Sequence, residues 1–229
     1  MTEKLRYDYT GDQRLLEGAD WFGAFHGLRP HFHDEIQVSF LEHGQRDYLI
    51  DVHRAMPSSD IMVRSTEFYL APSELPETAV AWIERQAYVI ADAPWLVDTP
   101  ADDVPPAVLD TAATLNPQCV VTKESSRAPT PDRQFLDLPL GVQIAEIASA
   151  RNLTREAYIR AFTRRFGMTP HAYRVNLRLN EGRALLRQGY AIADVAAAAG
   201  FSDQSHFGRS FLACFGATPG QFRAAHSQR

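Results

Sequence analysis

Three sets of residues in this chain could do recognition or ligand chemistry. Arg155, Glu156, Ile159, Arg160 and Thr163 share one face at helical spacing, opposite Tyr158, Phe162 and Phe166. Gln204, Ser205, His206 and Arg209, with Asp203 and Ser210, stand in the same way opposite Phe207, Phe211 and Phe215. A guanidinium can hold phosphate or guanine through two bonds, so both faces suit a polyanion. A solvated helical surface would account equally well for charge alone. The third set is Pro30-His31-Phe32-His33-Asp34-Glu35. A His-x-His pair on extended backbone, with an acid beside it, can begin a metal site.

The elements that position the first two sets repeat along the chain. Ile144-Ala-Glu-Ile-Ala-Ser-Ala recurs as Ile192-Ala-Asp-Val-Ala-Ala-Ala, and Phe166-Gly-Met-Thr-Pro as Phe215-Gly-Ala-Thr-Pro. Arg160 then matches Arg209, Phe162 matches Phe211, and Tyr173-Arg174 matches Phe222-Arg223. In each copy a short helix buries Ile144, Ile147 and Ala148, or Ile192, Val195 and Ala196. A tight turn follows at Asn152 or Gly200, and Thr154 or Ser202 caps the second helix. Gly167 closes that helix in the first copy, and Thr169-Pro170 starts the next with a cap and a proline. The connecting helix, Pro170 to about Gln188, is roughly 28 Å long at 1.5 Å per residue. A rod of that length could place two recognition helices about one DNA turn apart.

Charge divides the chain at the same place. Residues 140–229 hold twelve arginines, no lysine and five acids, a net of +7; residues 1–139 carry −12. The acidic half reads as β, with runs at Ile36–Leu41, Tyr48–Val52, Phe68–Leu70 and Ala79–Ile83 between turn residues. Proline and aspartate then cluster through residues 92–137, as a connector with a linker at 123–131. The reading is therefore α+β in three parts: 1–91, 92–137 and 138–229.

The stretch Gly200-Phe-Ser-Asp-Gln-Ser-His-Phe-Gly-Arg-Ser-Phe, continued by Phe215-Gly-Ala-Thr-Pro-Gly-Gln-Phe-Arg223, resembles the signature of the AraC/XylS family of transcription regulators. Arg160 to Arg174 resembles the corresponding part of the first motif. The resemblance covers about 138–226. It implies an all-α DNA-binding domain with two helix-turn-helix motifs joined by a long helix, and double-stranded DNA as the partner. It implies base reading by Arg155, Glu156, Ile159 and Arg160 in the first motif, and by Gln204, Ser205, His206 and Arg209 in the second. Arg164, Arg165 and Arg174 are then expected at phosphates. Glu156 and Ile159 could equally serve as helix-terminal charge and spacer. Only Arg133–Asp137 stand where the family has a longer first helix, so the first motif is expected to have less support than the second.

Residues 26–83 resemble the start of that family's sensor domain, a small cupin-like β-barrel. The resemblance implies a small-molecule effector in the barrel, with Trp21, His31, His33 and Trp82 as wall candidates. It also implies a homodimer, although little of the helical pair by which the family dimerises follows the barrel here, RNA polymerase as a partner for an activator, and no catalytic residue or cofactor. A cupin metalloenzyme is the alternative, but a cupin site draws a later histidine, and Tyr69–Thr78 contains none. A regulator whose sensor has lost its effector is a further alternative. No run reaches the length of a membrane span, and Met1–Arg6 lacks an apolar signal core, so the expected location is the cytoplasm. Cys119 and Cys214 read as buried small hydrophobes.

Overall fold

In the computed structural model, residues 4–8, 15–23, 28–29, 31–32, 35–43, 46–48, 55–57, 63–83 and 138–226 are described. Strands form where apolar residues alternate with polar ones, as in Ile36, Val38 and Phe40 against Gln37 and Ser39. The N-terminal strands are β1 (Lys4–Asp8), β2 (Leu15–Gly23), β3 (Ile36–His43), β4 (Arg46–Tyr48), β5 (Ala55–Pro57) and β6 (Val63–Leu70). Four of them build an antiparallel sheet in the order β1-β2-β6-β3, and β4 pairs with β5 in a separate ladder. Irregularities in register occur at Leu15/Glu17 and at Leu41/His43.

Two differences from the sequence reading are informative. Strands β1 and β2 precede the first run singled out as a strand, Ile36–Leu41. Gly18 and Ala19 give β2 poor local propensity, but pairing with Phe68 and Glu67 on distant β6 supplies what propensity lacks. Second, Ala79–Ile83 is helical rather than extended, within α1 (Glu77–Ile83). The carbonyl of Pro76 accepts from the amides of Ala79 and Val80, which nucleates the turn. Burying Ala79 and Leu75 then anchors it. The strand read over Tyr48–Val52 is seen only at its first residue, since 49–52 lie outside the described residues, as does the whole connector 92–137.

The C-terminal helices are α2 (Ile144–Ser149), α3 (Arg155–Phe166), α4 (Pro170–Arg187), α5 (Ile192–Ala198), α6 (Gln204–Phe215) and α7 (Pro219–His226). They enclose two cores. Ile147, Ala148, Tyr158, Phe162, Phe166, Met168 and Leu138 form the first; Val195, Ala196, Phe207, Phe211, Phe215, Phe222, Leu179 and Leu186 belong to the second. Each fully buried aromatic or leucine contributes roughly 1.5–3 kcal/mol of transfer free energy. The turns repeat as well. Asn152 and Gly200 have φ of 55° and 72°, and Gly167 and Gly216 have 66° and 73°. Asn and Gly tolerate that left-handed region where other residues clash. Helix α4 has 18 residues, about 27 Å, and Gly189 ends it at φ 86°.

Candidate nucleic-acid interface

The outward face of α3 begins at its cap. The Thr154 hydroxyl accepts from the amide of Ala157 at 3.2 Å, leaving the N-terminal turn exposed. Arg155, Glu156, Arg160 and Arg164 are exposed on this helix, while Ile159, Thr163 and Arg165 are half-buried. Arg155 and Glu156 approach to 3.5 Å, but both side chains are wet, so the pair is weak and breaks easily for another anion.

The face of α6 is built differently. Asp203, rather than Ser202, is the N-cap: its Oδ1 accepts from the amide of His206 at 2.7 Å. The repeat explains this, because Asp203 corresponds to Thr154 and Ser202 is the extra residue of the second copy. Hydrogen bonds from the His206 amide and the Ser202 hydroxyl hold the Asp203 carboxyl below its ordinary value. Ser202 Oγ donates to Asp203 Oδ2 at 3.0 Å and lies 3.3 Å from His206 Nδ1. A hydroxyl whose proton goes to Asp203 can only accept from His206 Nδ1–H, so a neutral ring offers Nε2 outward as an acceptor. The Phe201 ring, edge-on at 5.2 Å, braces the imidazole. Gln204, Ser205, His206 and Arg209 are all exposed.

Arg174, expected at a phosphate, is a strut in the structure. Its Nη2 donates to the carbonyls of Pro139 at 2.5 Å and Val142 at 2.6 Å, tying α4 to the chain entering the first motif. Arg223 makes the equivalent bond to the Tyr190 carbonyl, at 3.5 Å. Arg178 similarly reaches the carbonyl of Gly200 at 3.2 Å.

Of the residues proposed as an effector wall, Trp21 lies in β2 opposite Leu5 and Ser65. Trp82 belongs to α1, not to a strand. His31 is buried with its ring 5.6 Å from Phe215 of α6, so it meets the helical half. His33 is outside the described residues. Among the described residues no three potential metal ligands converge, and no helix is long and apolar enough to cross a membrane. Sequence reasoning missed a polar stripe on α4: Asn176, Asn180, Arg183 and Arg187 recur at near-helical spacing, and the first three are buried. That spacing was visible; its burial was not, because Phe32 and Glu35, which bond to Asn180 and Arg183, lie 148 positions earlier.

The exposed polar faces at the N-termini of α3 and α6, each presented by a helix and a tight turn, define a double helix-turn-helix domain. Residues 147–225 match the family model described as a helix-turn-helix domain. The HTH-type transcriptional regulator MtrA of Neisseria gonorrhoeae is 32% identical over 87 residues, which are 38% of this chain and 29% of that protein. The HTH-type transcriptional regulator CdhR of Pseudomonas aeruginosa is 39% identical over 80 residues, 34% of this chain and 24% of that protein. The matched stretch thus spans less than a third of either relative. Across nearly the whole chain the fold is like that of ToxT from Vibrio cholerae O395, at 8% identity and a TM-score of 0.50, covering 99% of this chain and all of that one.

Proposed function

We propose that the protein is a sequence-specific transcription regulator whose helices α3 and α6 enter successive major grooves on one face of DNA. The observation that carries this reading is the duplication itself. Two like-folded units, each with an exposed polar helix face, are joined by a helix of about 27 Å, which with their own width can span the roughly 34 Å of one DNA turn. Arg160 and Arg209 are the expected guanine readers. Gln204 would face adenine, and the outward His206 Nε2 would accept from an adenine or cytosine amino group. Arg155, Glu156, Ile159 and Ser205 complete the two reading faces. Arg164 and Arg165 serve phosphates.

Selection from random duplex DNA tests this. The expected product is a bipartite site with half-sites about one turn apart; a single undivided half-site would refute the two-groove reading.

For the N-terminal half we infer a cupin-like sensor over 1–91, joined by a connector over 92–137 to the DNA-binding part at 138–229. The antiparallel sheet supports it, and so does a ToxT structure bound to (E)-4-(8-methylnaphthalen-1-yl)but-3-enoic acid. A small-molecule effector, a homodimer, RNA polymerase contact and a cytoplasmic location follow from the same reading. A thermal-shift screen of sugars and aromatic acids checks it: a binder at 100 times its dissociation constant adds about 2.7 kcal/mol. No stabilisation by any compound would favour a sensor that has lost its effector. That alternative draws support from His31, which is spent on Phe215.

A further inference from the structure

The approach to β3 does more than enter a strand. The Arg29 amide donates to the carbonyl of Ala213 near the end of α6 at 2.9 Å. The His31 ring meets Phe215 edge-on, and its Nδ1 lies 2.9 Å from the Arg29 carbonyl, which fixes the local bend. One residue later the chain turns to the other motif. Phe32 stacks on Tyr173 with ring centroids 4.6 Å apart and packs against the first core. Its carbonyl accepts from Asn180 Nδ2 on α4 at 3.0 Å. Glu35 then pairs with two arginines of α4: Arg183 at 3.3 Å and Arg187. Arg183 is only 1% exposed, and its guanidinium lies 4.5 Å from the Tyr69 ring centre, 5.0 Å from Phe215 and 5.7 Å from Phe222. A charge so placed holds its partner firmly, because water cannot substitute for Glu35.

These contacts touch α6, α4 and the first core at once. We propose that Arg29, His31, Phe32 and Glu35 are positioning residues that clamp the two helix-turn-helix units in one mutual orientation, so that the N-terminal domain sets the half-site spacing the protein accepts. Within the helical half, α4 is the element that meets both units, α3 of the first motif and α5, α6 and α7 of the second. Phe32 also adds an apolar contact to the first core, beside Tyr173. This inference rests on the two-groove reading for its DNA arm alone.

The test uses the full chain and the variants Phe32→Ala and Glu35→Gln, the second keeping shape while removing charge. Duplexes carry the selected site with its spacer changed by one base pair, which rotates the half-sites by about 35°. The intact protein should lose about tenfold in affinity on either change, comparable to one mismatched base pair. The variants should lose less than about threefold and keep their affinity for an isolated half-site. A second arm needs no DNA. Nitroxides on Arg160→Cys and Arg209→Cys, in a Cys119→Ser background, report the separation of α3 and α6 by pulsed electron resonance. A narrow distribution that broadens in both variants supports the clamp. An unchanged narrow distribution, or an unchanged spacing penalty, overturns it. Absence of any DNA binding by the intact protein would sink the regulator reading and leave the resonance result to decide the clamp.

Discussion

The two helix-turn-helix copies share a backbone and differ in how each is finished. At one repeat position both bury a leucine: Leu186 in the second copy and Leu138 in the first. Leu186 arrives on the last turn of α4, so the second core is covered by a helix of its own domain. The first core takes its flank from Phe32, far away in sequence. After the turn, Phe201 is buried in the second copy while its counterpart Leu153 is exposed. Arg151 instead lies 5.6 Å over the Tyr158 ring in the first. A duplicated fold therefore tolerates different means of sealing its cores, provided the inward aromatics stay in place. The exposed faces are free to diverge into different chemistry.

The largest test of this equivalence lies in those aromatics. Phe162→Ala and Phe211→Ala each remove a fully buried ring and should cost about 3–5 kcal/mol in urea unfolding. A cost under about 1 kcal/mol at Phe162 would show that the first copy is not a comparable core. Next come the reading faces. Arg209→Ala and Arg160→Ala should each lose about 1–3 kcal/mol at the selected site and relax base preference at one position. Uniform weakening across all sequences would move either arginine to the phosphate class.

The struts separate the copies further. Arg174→Ala should destabilise by about 1–2 kcal/mol and Arg223→Ala by less, since its bond to the Tyr190 carbonyl is long at 3.5 Å. Neither should change the slope of affinity against salt; a slope reduced by about one for Arg174→Ala would restore it to a phosphate. The caps differ in pH dependence. Asp203 has a depressed folded-state value, so its contribution is complete above the usual carboxylate value of about 3.9 and fades as pH falls below it. Asp203→Asn should flatten stability against pH in that window, whereas Thr154→Ala should cost about 1 kcal/mol at every pH. Smallest in energy is Cys214, buried and pushed up to about 11 by desolvation. It should resist thiol reagents at pH 8 until the second core opens, and rapid labelling of the folded chain would contradict that burial.

Most of the helical half was legible beforehand because its information is local. The i, i+4, i+8 aromatics Tyr158, Phe162 and Phe166 are inward, as are Phe207, Phe211 and Phe215. Asn152, Gly167 and Gly200 turn where a positive φ is needed. The cap at Asp203 was misplaced by one residue, since Ser, Asp and Thr all cap well and only the hydrogen bond decides among them. The sheet was less legible. Gly18 and Ala19 do not look like strand residues, and Pro76 turns Ala79–Ile83 into a helix that alternation alone could not foresee.

Sequence by itself determined the duplication, the charged half, the inward aromatics and the outward Arg160, Gln204, His206 and Arg209, because each follows from spacing within one helix and its turn. Tertiary structure alone decided that Arg174 is a strut, that Arg183 is buried against Tyr69 and Glu35, and that Phe32 seals the first motif. Those contacts join residues some 30 to 150 positions apart. Nothing in a local pattern records which distant surface will exclude water from them.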